Sequence, residues 1–162
     1  MGTRLGRSFR RIIFLLAAAS APLSAAADEA CAPDRIDFRS EETSAAFSIE
    51  VVDTEETRAR GLMHREEMRA DHGMLFVYPD AGERAFWMKN TPLPLDIVFL
   101  NARGVVCSIA ASTTPFSLDI IPSGCAAQTV LEVNAGVAAA VGLGLGAVAR
   151  HPAIARPLRP CG

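Results

Sequence analysis

Leu95-Asp96-Ile97-Val98-Phe99-Leu100-Asn101-Ala102-Arg103-Gly104-Val105-Val106-Cys107-Ser108-Ile109-Ala110 is the stretch that decides the fold. Apolar, β-branched and aromatic residues fill 95–100 and 105–110, and Asn101-Ala102-Arg103-Gly104 between them is turn chemistry, so the segment predicts a hairpin. Outward from it, apolar–polar alternation places Ile36 with Phe38, and Phe47 with Ile49 and Val51, on single faces of strands at 35–39 and 47–53. Strands at 74–78 and 85–88 flank a turn at 79–82 containing Pro79 and Gly82, and strand character returns at 128–133 and 147–150. Thr54 caps a short helix that 57–63 carry on, with Glu55 and Glu56 in a first turn where negative charge suits the helix dipole. A second short, buried helix is read within 135–143, capped by Asn134. Residues 64–73 read as a charged, solvated loop, and 113–124, with Pro115 and Pro122, as an irregular excursion. Together these elements predict a compact α+β fold, a mainly antiparallel β-sheet or partly closed barrel with two short helices.

Residues 1–27 stand apart. Arg4, Arg7, Arg10 and Arg11 precede an apolar run at 12–19 and a small-residue end at Ser24-Ala25-Ala26-Ala27, the order of a secretory signal peptide cleaved after Ala27. The apolar run is shorter than the roughly 20 residues a membrane helix needs, so no stable anchor is expected after cleavage. Arg10-Arg11 resembles a twin-arginine signal, but arginine pairs are common in basic leaders. Cys31 could be acylated in principle, yet Asp28 and Glu29 before it fit a soluble N-terminus better.

The remaining 28–162 form one domain of ordinary size. The leader holds four of the 16 basic residues and none of the 18 acidic ones, which leaves the mature chain at a formal charge of −6. Nucleic acid, which demands a basic surface, is not an expected partner; an unknown small molecule or protein is. Cys31, Cys107, Cys125 and Cys161 all survive cleavage, and an even count in an exported chain reads as two disulfides. Of three connectivities we favour Cys31–Cys161, because chain ends are often close and fray unless tied, and Cys107–Cys125, because the segment between them can fold back. Their spacing is not that of a zinc site.

Spaced motifs in one order resemble a known family. Arg60-Gly61-Leu62-Met63, Gly73-Met74-Leu75-Phe76, Phe86-Trp87-Met88-Lys89-Asn90-Thr91 with Pro94-Leu95-Asp96-Ile97, and Val130-Leu131-Glu132 before Ala135-Gly136 look like those of the domain of unknown function 192 family, over about 47–150. The resemblance implies a compact, mainly antiparallel α+β domain, often exported, and carries no reaction, cofactor or catalytic residue. Gly146-Ala147 stands where such sequences often have Gly-Asp, and the four cysteines are an addition of this chain.

The candidate site lies where the lone lysine adjoins the lone tryptophan. Lys89, Asn90 and Asp96 interrupt an apolar run, and buried polar groups must be paired or they cost free energy. In one reading Asp96 lies near Lys89 or Arg60 and, beside Trp87, they form a polar pocket for a small anionic or sugar-like ligand. In the other, Asn90 and Thr91 form a turn, Asp96 accepts backbone N–H groups, Trp87 and Met88 anchor the core, and Lys89 bridges a turn to a strand. Arg65, like Arg60, could fork onto Asp96 or Glu132; Glu132, opposite in phase to Leu131 and Val133, otherwise reads as exposed. Met63, Met74 and Met88 sit beside apolar neighbours and read as core fillers rather than copper ligands, so no metal or cofactor is expected. His64, His72 and His151 have no recognisable catalytic partner in the sequence, and no serine has a glycine-flanked nucleophile motif. The catalytic residues stay unassigned and the balance leans away from an enzyme. The leading expectation is a periplasmic or secreted binding or accessory protein; the alternatives are a small hydrolase or transferase using Asp96 with a histidine, and a structural or protein-interaction module.

Overall fold

The computed structural model describes residues 1–2, 31–41 and 43–161; the expected leader, its first two residues aside, lies outside them. Nine strands and two short helices follow in the order β1 (Arg35–Arg39), β2 (Ser44–Val52), α1 (Glu55–Arg60), β3 (His72–Gly82), β4 (Ala85–Phe86), β5 (Leu95–Asn101), β6 (Val106–Ala110), β7 (Ile121–Pro122), β8 (Ala127–Asn134), α2 (Val137–Ala140) and β9 (Val148–Arg150). Seven strands form one sheet in the order β6-β5-β8-β3-β2-β1-β9, and β4 pairs with β7 separately. The hairpin at 95–110 forms as read, with Val98 opposite Ile109. Only β2 and β3 run parallel, the pairing that requires a crossover, and α1 supplies it. The large sheet curls until its edges meet: Val105 bridges Val148, and the amides of Val106 and Ala149 donate to the carbonyls of Ala147 and Gly104. Curling pairs what would otherwise be two open edges.

Side chains alternate between two apolar clusters. Ile36, Phe38, Phe47, Leu75, Val98, Leu100, Leu131 and Val133 fill the concave interior. Val52, Leu62, Met74, Phe76, Phe86, Met88, Ile97, Phe99 and Val130 form a second cluster on the opposite face. In β5 and β8 the two sets interleave residue by residue, so these strands are buried on both faces.

Several local expectations change. Residues 79–82 are no turn: β3 continues through them with a register break between Val77 and Gly82, a position that tolerates Pro79, which lacks an N–H. Of 85–88 only Ala85 and Phe86 pair, and their partner is the two-residue β7 inside the expected excursion. Asn134 does not cap α2; its amide donates to the carbonyls of Met68 and Arg69, while Gly136 takes the N-cap position in the left-handed region. The first helix is shorter than read, but its cap holds: Thr54 and Thr57 each accept the other's backbone N–H. Both expected disulfides are present, Cys31–Cys161 with Cα atoms 5.3 Å apart and Cys107–Cys125 with 6.3 Å.

Candidate functional site

The polar groups of the expected site do not converge. Asp96 lies on the interior face of β5, 1% exposed, and both its oxygens accept backbone N–H groups: Oδ1 from Ser112 at 2.8 Å and Oδ2 from Ala138 at 3.0 Å. The second bond serves the first turn of α2, whose N-cap, Gly136, has no side chain to supply one. Asp96 makes no ion pair with Lys89 or Arg60 and no hydrogen bond to a histidine among the described residues. Of the two readings offered for it, the geometry follows that of a structural acceptor.

Lys89 is exposed and sits over the Trp87 ring, 4.9 Å from its centroid, rather than bridging to a strand. Asn90 adopts φ 55°, and its carbonyl accepts the His64 amide at 2.7 Å, so it makes the turn that ties the 64–73 loop down. Trp87 is not a core anchor, being 44% exposed, whereas Met88 beside it is buried with its Sδ 3.2 Å from the Thr113 hydroxyl. Met74 is likewise buried in the second cluster, and Met63 is half-buried with the Asn90 amide at its sulfur.

Arg65 forks onto neither Asp96 nor Glu132. Its partner is Glu50, which it grips with two bonds of 2.5 and 2.8 Å, and His72 Nε2 lies 3.0 Å from the same carboxylate. The Arg65 bonds, with His72 adding to them, hold Glu50 below the usual carboxylate range against the opposing effect of burial. This arrangement pins the loop after α1 to β2.

Glu132 is the buried acid without a partner among the described residues. It is not exposed, as its strand phase had indicated, but only 5% accessible, because β8 is central and its second face is covered as fully as its first. Its strand partners are Met74 on β3 and Ile97 on β5, and it has no hydrogen bond or ion pair among the described residues. Burial among apolar neighbours pushes its carboxyl up to about 8, so it is protonated at neutral pH.

Glu132 lines an open pocket of about 370 Å³ between α1 and the 85–91 segment, walled by Leu62, Phe76, Phe86 and Trp87 and joined by Tyr78. The rings of Phe76 and Phe86 meet edge to face at 5.2 Å. Gly61 ends α1 at φ 48°, where a Cβ would lie 3.0 Å from the Phe76 ring, so glycine there lets the helix end close over the aromatic wall. Arg58 stacks on Tyr78 with its carbon 4.9 Å from the ring centroid and donates to the carbonyls of Asp53 and Val77. Arg84 takes a stacking position on the same ring at 4.1 Å. Of the expected ligand-binding residues, Arg60 and Trp87 line this pocket, while Lys89, Asn90 and Asp96 do not. Sequence reasoning missed Tyr78, Phe76 and Phe86 as site residues and misjudged Glu132. The available signal was a single acid inside the apolar run Val130-Leu131-Glu132-Val133.

The DUF192 family model, described as an uncharacterized ACR, matches residues 37–151. A crystal structure of a protein of unknown function from Novosphingobium aromaticivorans DSM 12444 is similar at 32% identity and a TM-score of 0.69, covering 71% of this chain and 82% of that one. One of a "putative transcription regulator" from Sinorhizobium meliloti 1021 is similar at 33% identity and a TM-score of 0.70, covering 74% and 94%. No curated protein matches the chain.

Proposed function

Since the chain belongs to the DUF192 family, whose members are uncharacterized, we propose from its own geometry that it is an exported binding or accessory protein whose site is the Glu132 pocket. One observation carries the reading: the carboxyl group of Glu132, a residue only 5% accessible and without a protein partner among the described residues, lines an open aromatic pocket of about 370 Å³. An unpaired buried polar group costs stability, and a cleft that keeps one is a natural place for a ligand to supply the partner. The polar site expected at Lys89, Asn90 and Asp96 thus moves to the opposite face of the sheet, retaining Arg60 and Trp87 in its lining. Two disulfides and the basic-then-apolar leader support a periplasmic or secreted location.

Trp87 is the only tryptophan, so its emission reports on the pocket alone. Mature protein titrated with panels of sugars, carboxylates, amines and nucleosides is expected to show a saturable change in Trp87 emission and a raised melting temperature with one class, both lost in Glu132→Leu. Absence of any response across the panels, together with no small molecule extracted from protein purified out of the periplasm, defeats the reading. A protein-interaction role has one observation in its favour: Phe116, Leu118 and Ile120 are each more than 60% exposed on the segment that leads into β7.

A further inference from the structure

Of the pocket's hydrogen-bonding side chains without a hydrogen bond or ion pair among the described residues, Glu55, Arg60 and Trp87 are exposed, which leaves the Glu132 carboxyl and the Tyr78 hydroxyl as the two sheltered ones. Two neighbouring polar groups are committed elsewhere. Arg58 donates to the Asp53 and Val77 carbonyls, and the Thr91 hydroxyl donates to the Lys89 carbonyl at 3.2 Å. We propose that the pocket binds an aromatic oxyanion, a flat ring bearing a carboxylate or phenolate oxygen, to which Glu132 and Tyr78 both donate; this rests on the binding reading above and names its ligand class.

Each group is a donor for its own reason. Glu132 is flanked on neighbouring strands by Met74 and Ile97, and this apolar setting keeps its proton on. Burial likewise raises the Tyr78 phenol, against the lowering pull of Arg84 and Arg58. The phenol therefore stays protonated while two guanidinium groups on its ring polarise it toward donation. The charged groups that line the pocket with Glu132 are Glu55, Arg58 and Arg60 from α1; Arg84, stacked on Tyr78, is paired with Asp80 at 2.8 Å, and Lys89 lies on Trp87. Two cations, Arg58 and Arg60, against the Glu55 carboxylate favour an anion. They also disfavour an amine, since the Tyr78 and Trp87 faces already carry the protein's own cations. The apolar walls and the pocket volume suit a single ring.

The test uses the mature protein with benzoate and 4-hydroxybenzoate as probes, and benzylamine and glucose as controls, read by Trp87 emission at pH 6 to 9.5. Benzoate is expected to bind saturably at pH 6, with benzylamine and glucose about tenfold weaker or more, one hydrogen bond's worth of discrimination. Its affinity falls about tenfold per pH unit above about 8, where Glu132 ionises and repels it. Glu132→Gln keeps a donor and removes that fall; Tyr78→Phe weakens binding about tenfold throughout. Far-UV circular dichroism confirms the fold of each variant, and the wild-type pH profile stands without any variant. Tighter binding of benzylamine or glucose than of benzoate, or benzoate binding indifferent to pH, overturns the oxyanion class while leaving the pocket as a site. Silence with all four probes overturns the class and, if the broader panels are silent too, the binding reading with it.

Discussion

Asp96 and Glu132 are buried acids on adjacent strands, one residue apart in register, and they differ in nearly everything that burial leaves open. Asp96 faces the interior and satisfies both oxygens with the amides of Ser112 and Ala138, thereby closing the first turn of α2. Glu132 faces the other way, between Met74 and Ile97, and has no hydrogen-bond partner among the described residues. A buried polar group that is fully paired is architecture, whereas one left unpaired beside an open cavity marks a place where the fold gives up stability. The pair shows that burial alone does not identify a site; the partner inventory does.

The comparison breaks first at Asp96. Asp96→Ala leaves the buried Ala138 amide and the part-buried Ser112 amide without acceptors and is expected to cost roughly 2–4 kcal/mol by chemical denaturation, most of it from the buried donor. A cost no larger than that of an average surface substitution removes its architectural role. Glu132 is expected to behave in the opposite sense. The unfolded chain releases this proton near 4.5 and the folded chain near about 8, so the folded state holds the extra proton in between. Stability is therefore undiminished below the lower value and falls as pH rises toward the upper, by up to about 4 kcal/mol between pH 5 and 8. Glu132→Gln flattens that profile and raises the pH 8 stability; equal slopes in the two proteins would show that Glu132 is paired or hydrated.

A smaller effect sharpens the outer face. Cys107 and Cys125 pack against the same second cluster as the pocket walls, and replacing both by serine is expected to cost about 3 kcal/mol for the short loop they close. The smallest effect belongs to Trp87. Because it is 44% exposed, Trp87→Phe should change stability by less than about 0.5 kcal/mol while abolishing the pocket's emission signal. A larger loss would mean that the tryptophan holds the wall rather than lines it.

Much of the fold was legible along the chain. The hairpin at 95–110, the alternation in β1 and β2, the Thr54 cap and the pairing of four cysteines are local patterns or follow from export and chain ends. The errors share one cause. Pro79 and Gly82 read as a turn because turn chemistry is local, yet Gly82 still pairs with Ala127 across the sheet. Asn134 read as a cap by position, but Asp96, 42 residues from Ala138 in sequence, meets that amide instead. Arg65 reads toward Asp96 and Glu132, whereas its partner is Glu50 on β2, which the crossover through α1 brings beside it.

From the sequence alone came the strand pattern, the two short helices, the disulfide pairing and the expectation that polar residues near Trp87 matter. These depend on backbone chemistry and short-range periodicity, which the order of residues encodes directly. Only the tertiary structure decided which acid is satisfied and which is free. A strand's alternation assigns Glu132 to one face and Asp96 to the other, but the curl of the sheet and the covering of its outer face by α1 and the 85–91 segment bury both. Whether a buried carboxyl then finds two amides or an empty pocket depends on what distant segments bring to it, and that is a property of packing.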